Sequence, residues 1–262
     1  MNRIFVYTGT GNSLASAKQI ASALQLELVH ITDELAHSDS TFEGDVGVVI
    51  YPVYAYGMPM TVKRFVKKNR FKYNYMAVLT TCGSHSKGAF AESIKLFRKR
   101  KQRIAYTNEI CAVENYVHMF KLPPENIIEV QTHTQAIITD GIIYDIKNRK
   151  TNKRFPIRPI SIIARIVFRH ATKAFAKRYK ITEECNGCGI CHKVCPANAI
   201  QMVESEEQAN RKQEPFIIPK KCDHCQACLQ LCPKRAICFG KIQPDSRRYK
   251  HSEITLSELI KR

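Results

Sequence analysis

Tryptophan is absent from this 262-residue chain, and so is any apolar run approaching the roughly 18 residues of a membrane-spanning helix. The second absence argues against a helical membrane protein. With no export signal visible around the strand-like Arg3 to Tyr7, a cytoplasmic location is expected. No Ser-His-Asp set, carboxylate pair or activated cysteine nucleophile stands out, so hydrolytic chemistry has nothing to build on. Acidic residues are scarce, 23 against 41 Lys and Arg, and none occurs between Asp145 and Glu183, where twelve Lys and Arg are crowded together. Hydrophobic residues still make up 44%, enough for a large core and two domains.

What the chain has in excess is cysteine. Eight of the 11 fall in two runs, Cys185, Cys188, Cys191, Cys195 before Pro196, and Cys222, Cys225, Cys228, Cys232 before Pro233. The second run repeats the first at an offset of 37, and Ala199 and Ile200 recur as Ala236 and Ile237, so packing residues are duplicated along with the thiols. Such density without an export signal favours metal ligation over disulfides. Three cysteines spaced by two residues can turn their sulfurs around one corner of an iron-sulfur cubane, while the fourth, stopped by proline, points away. Structural zinc is the alternative, but it usually draws on separated Cys-x2-Cys pairs.

From Ile181 to Gly240 the chain resembles the bacterial 2x(4Fe-4S) ferredoxin, in which the fourth cysteine of each run ligates the other run's cluster. The resemblance implies two 4Fe-4S clusters, one on Cys185, Cys188, Cys191 and Cys232, the other on Cys222, Cys225, Cys228 and Cys195. The polar insertion from Glu204 to Gln213 departs from that pattern and lengthens the connection between runs. Outside the motif lie Cys82, Cys111 and Cys238, the last two expected to be buried apolar residues. His192 and His224, inside the runs, either meet a cluster sulfur or stand solvated in their loops.

The first 150 residues alternate short apolar strands with amphipathic stretches, the pattern of a parallel sheet covered by helices. Strands are expected at Ile4 to Tyr7, Leu26 to Ile31, Val46 to Tyr51, Met76 to Thr81 and Ile104 to Val113. Leu14, Ala17, Ala21 and Leu24 make one helical face after the first strand. In such an open sheet ligands sit at the carboxyl ends of the strands. There the first strand runs into Thr8, Gly9, Thr10, Gly11, Asn12 and Ser13, a cradle of glycines, hydroxyls and a helix start suited to a phosphate. Neither the Walker lysine nor the spacing Gly-x-Gly-x-x-Gly is present, so a monophosphate ester fits better than a triphosphate or a dinucleotide.

Thr8 to Ser13 resembles the phosphate loop of flavodoxins. Pro52, Val53, Tyr54, Ala55, Tyr56 and Gly57, after the third strand, look like the flavodoxin segment flanking the isoalloxazine ring. Thr81, Cys82, Gly83, Ser84 and His85, after the fourth, occupy the place of the other ring-binding loop. The resemblance implies FMN, with Tyr54 or Tyr56 stacked on the ring; the alternative is a flavodoxin-like scaffold that has lost its flavin.

Taken whole, the chain is similar to the family of flavodoxin and ferredoxin fusions called ferrodoxins. That implies an α/β, flavodoxin-like doubly wound five-stranded parallel sheet over 1–150, a basic, partly helical linker over 151–180, a small α+β ferredoxin-like two-cluster domain over 181–240, and a tail over 241–262. Two clusters and a flavin phosphate would bring the formal charge of +18 down to about +12. An acidic redox protein is therefore the expected partner, with Arg165, Arg169, Lys173 and Lys177 forming one basic face of the linker opposite an apolar stripe. A solvated linker helix or contact with an anionic membrane are the other readings of that face; no recognition motif accompanies it to bring in nucleic acid. The expected function is electron transfer among two 4Fe-4S clusters, FMN and an external partner, with an FMN-dependent reductase of a small organic substrate as the alternative.

Overall fold

The computed structural model describes residues 1–54, 57–84, 86, 89–152, 174–205 and 212–260. Five parallel strands form one sheet in the order β2-β1-β3-β4-β5, namely β1 (Arg3–Val6), β2 (Glu27–His30), β3 (Thr41–Pro52), β4 (Arg70–Cys82) and β5 (Tyr106–Cys111). This is the flavodoxin-like doubly wound order. The helices α1 (Asn12–Leu24) and α5 (Glu125–Lys147) lie on one face, and α3 (Met60–Lys68) and α4 (Ala89–Lys99) on the other, with the short α2 (Asp33–His37) beside α3. Alternation along β1 decides which side each residue serves: Ile4 and Val6 pack toward α1, Phe5 and Tyr7 toward α3. All four are almost wholly buried, as a strand covered on both faces requires.

All five expected strands are present. β3 and β4 begin earlier than their apolar runs because they extend together past the sheet, pairing Thr41 with Arg70 and Glu43 with Lys72 before the core begins at Val46. That extension alternates exposed polar with inward aromatic residues, so a search for continuous apolar runs misses it.

The C-terminal half contains two antiparallel ribbons, β6 (Tyr179–Ile181) with β9 (Ile237–Phe239) and β7 (Ile200–Glu204) with β8 (Gln213–Ile217), and the single-turn helices α6 (Ile190–Lys193) and α7 (Ala227–Gln230). The sequence repeat is also a backbone repeat. Gly187, Gly189 and Asn198 have φ of 71°, 72° and 49°; their counterparts 37 positions on, His224, Gln226 and Arg235, have 58°, 61° and 52°. Left-handed backbone is costly for non-glycine residues, so the run geometry, rather than local preference, imposes it on the second copy. The insertion expected from Glu204 to Gln213 is bracketed by the β7–β8 pairing, Glu204 opposite Gln213.

The two halves share a core. Val194, Ala227 and Leu231 from the cysteine-rich half, with Ile254 and Leu259, join Leu14, Ala17 and Ile20 of α1 in one hydrophobic cluster. Residues 249–259 thus return to the sheet domain, where Tyr249 Oη donates to Asn12 Oδ1 at 2.7 Å and the helix α8 (Leu256–Leu259) is closed by a Thr255/Glu258 capping box. Of the basic stripe, Lys177 is exposed, while Arg165, Arg169 and Lys173 lie outside the described residues.

Candidate functional site

The chain crosses the two cysteine runs. Cys232 joins Cys185, Cys188 and Cys191 around one small cavity, whose floor includes Pro233 and Ile237. Cys195 sits with the other run, close enough to influence the thiols of Cys222, Cys225 and Cys228. The sets adjoin, since Cys228 also feels Cys191. They differ in exposure: the first includes the exposed Cys188, whereas every member of the second is buried or half-buried.

Burial dominates the chemistry of these thiols. It pushes Cys191 and Cys222 up to about 12, and Cys225 and Cys228 well above the ordinary range, with the neighbouring cysteines adding to the rise. Left alone they are neutral; a cationic iron core would supply the charge that makes them thiolates. Buried donors with no protein partner stand in the second run, at His224 Nε2 and Gln226 Nε2 among the described residues, and both suit the sulfur acceptors of a cluster. Among the described residues no three His, Cys, Asp or Glu groups gather as ligands of one ion.

At the carboxyl ends of the strands a second, larger cavity opens. The loop after β1 contributes Thr8, Gly9, Thr10, Asn12 and Ser13, the loop after β3 contributes Pro52, Val53 and Tyr54, and the end of β4 contributes Thr81, Cys82, Gly83 and Ser84. Three loops singled out in the sequence therefore meet in one place. Gly11 does not line the cavity; with φ of 112° it forms the N-cap of α1 and offers that helix no side-chain acceptor, and no acidic residue occupies the first turn. The free helix start suits an anion. Gly57 exchanges a pair of backbone hydrogen bonds with Tyr54. Ala55, Tyr56 and His85 lie outside the described residues.

Two parts of the wall escaped the sequence reading. The loop after β5 supplies Asn115, Tyr116, Met119 and Phe120, and the second cysteine run supplies Asp223, His224 and Cys225. The first was findable, because it too stands at a strand's carboxyl end. The second had no local signal, being set by how the halves dock. Burial, with Cys225 and Asp223 adjacent, raises the Tyr54 phenol well above its usual range and keeps it neutral.

His224 is not a solvated loop residue: it is buried at 2% exposure, its ring Nδ1 lies 3.1 Å from Tyr116 Oη, and burial lowers it to about 4. His192 Nδ1 pairs with the Ile200 carbonyl at 2.6 Å. Cys238 is buried as expected, but Cys111 is exposed, because β5 is an edge strand and Cys111 its last residue. No helix of the described residues is long and apolar enough to cross a membrane.

Residues 184–236 match the 4Fe-4S dicluster domain family. No curated protein matches the chain. A solved structure of Megasphaera elsdenii flavodoxin in its two-electron reduced form is similar at 18% identity, covering 52% of this chain and 97% of that one with a TM-score of 0.33. The strand order itself carries the fold of the N-terminal part. The chain thus joins an N-terminal sheet of flavodoxin-like strand order to a C-terminal region that matches the 4Fe-4S dicluster domain family.

Proposed function

We propose that this chain is an iron-sulfur flavoprotein relaying electrons among two 4Fe-4S clusters, FMN and an external, acidic redox protein. One observation carries the reading: the cavity at the strand ends is walled on one side by flavodoxin-type loops and on another by Asp223, His224 and Cys225 of a cluster run. Cys185, Cys188, Cys191 and Cys232 would hold one cluster, and Cys222, Cys225, Cys228 and Cys195 the other. Thr8, Thr10, Ser13 and the start of α1 would hold the phosphate, with Tyr54 and the ends of β3 and β4 around the ring. Bound there, a flavin exchanges one or two electrons and each cluster one, which lets partners of both kinds be served.

The chain's own groups prepare that environment. The phenols of buried Tyr7 and half-buried Tyr54 stay neutral beside the second run, burial and the neighbouring Asp223 and Cys225 raising both. Anaerobic purification followed by iron, acid-labile sulfide and flavin analysis tests the reading in one sample. FMN together with iron and sulfide is expected; stoichiometric zinc without sulfide, or iron without any flavin on reconstitution, would overturn the corresponding half.

A further inference from the structure

We propose that Asp223 is a positioning residue, whose carboxylate caps α3 and latches the second cysteine run over the phosphate loop. The inference rests on the reading above only in that the run is taken to hold a cluster. Oδ1 accepts from the Met60 N–H at 2.9 Å, and Oδ2 from the Thr61 N–H at 3.1 Å and from Tyr7 Oη at 2.7 Å. Asp223 is itself 7% exposed.

The first amides of a helix have no partner within it, and Pro59, the N-cap of α3, supplies no side-chain acceptor. A carboxylate delivered from the far end of the chain fills that role, in the position the helix dipole favours. The next two residues extend the contact. His224 reaches Tyr116 in the loop after β5, and the Cys225 carbonyl lies against Gly9 in the loop after β1. Three successive residues of the run thus each grip a different strand-end loop, and Asp223 is the one that supplies acceptors to the start of α3.

Hydrogen-deuterium exchange, read by mass spectrometry on the anaerobically purified full chain, tests this. The Met60 and Thr61 amides both donate to Asp223, so Asp223→Ala should speed their exchange at least about tenfold, as expected for lost bonds to a charged acceptor. Amides in the middle of α3 should not change, and iron per chain should stay at the wild-type value. Asp223→Asn keeps one acceptor oxygen and the side-chain shape, so a smaller acceleration is expected, and it serves if the alanine variant does not fold. Unchanged exchange at Met60 and Thr61 in both variants overturns the latch. So does loss of iron with those amides still protected, which would make Asp223 part of the metal site. The amide readout needs no iron, so wild-type protein lacking iron would sink the cluster reading and leave the latch standing.

Discussion

Gly9 and Cys225 touch across the domain boundary: a Cβ built on Gly9 would stand 2.9 Å from the Cys225 carbonyl oxygen and 3.2 Å from its Cβ. In the sequence Gly9 reads as a residue that lets backbone approach a phosphate. In the fold its bare α-carbon faces the cysteine run, while the loop's other side lines the cavity. Gly11 is likewise filled from behind, its absent Cβ place lying 2.8 Å from His251 Cβ, and its φ of 112° adds strain for any other residue.

Gly9→Ala should therefore act as an overpacking substitution at a docked interface. The neighbouring atom is backbone, so the run must move, at about 1–3 kcal/mol. The expected result is a lower unfolding temperature together with a changed visible absorption of the second cluster. An alanine variant with wild-type stability and spectrum would show that the two halves are not held at this distance.

Crossed ligation makes a different, local prediction. Cys232→Ser should disturb the cluster of Cys185, Cys188 and Cys191, 41 to 47 positions upstream, and spare the run it belongs to. Wild-type protein should carry about eight irons and eight labile sulfides. Electron paramagnetic resonance of reduced Cys195→Ser and Cys232→Ser should each show one signal altered, and a different one in each. If each serine alters the cluster of its own run, the crossing is wrong.

Much of this was legible in the chain, for reasons that differ by region. The cysteine runs depend on fixed short spacings, so sequence shows them directly, and the 37-residue offset reappears in the φ angles of Gly187 and His224. The strands showed because β1, β3 and β4 are buried on both faces and read as apolar runs. Asp223 did not show: an acidic residue between two cysteines looks like a solvated loop residue until α3 is brought to it from 163 positions away. The return of residues 249–259 onto α1 was equally hidden, since Tyr249, Ile254 and Leu259 are too widely spaced to form a periodic signal.

The phosphate end of the cavity can be tested separately from its ring end. Thr10 Oγ1 accepts from Asn115 Nδ2 at 2.5 Å, so its hydroxyl proton remains free to donate to a phosphate oxygen. Thr10→Ala should weaken FMN about tenfold by loss of a hydrogen bond to a charged acceptor, and should change riboflavin affinity little. Titrations monitored by flavin fluorescence measure both. Equal losses for the two ligands, or tighter binding of FAD than of FMN, would remove the phosphate assignment from this loop.

The last prediction concerns the returning C-terminal segment and its pH dependence. Lys18 Nζ meets Glu258 Oε1 at 2.5 Å, while the Thr255 N–H and Oγ1 both donate to Oε2, at 2.8 and 2.7 Å. The Lys18 bond is the leading cause, with those of Thr255 next, and together they hold the Glu258 carboxyl down at about 2. Because the folded value lies below the unfolded one, ordinarily about 4.3, the stabilisation is fully present above that pH and is lost as pH falls toward 2. Glu258→Gln should therefore lower the unfolding temperature at pH 7, where the wild-type carboxylate is charged, and the gap between the two proteins should narrow once pH drops below about 5. Because the side chain remains 28% exposed, salt should shrink the gap at pH 7 as well. Melting curves at pH 7, 5 and 4, at low and moderate ionic strength, measure this. A gap that stays constant from pH 7 to pH 4 would mean that Glu258 anchors the segment through shape and neutral hydrogen bonds rather than through its charge.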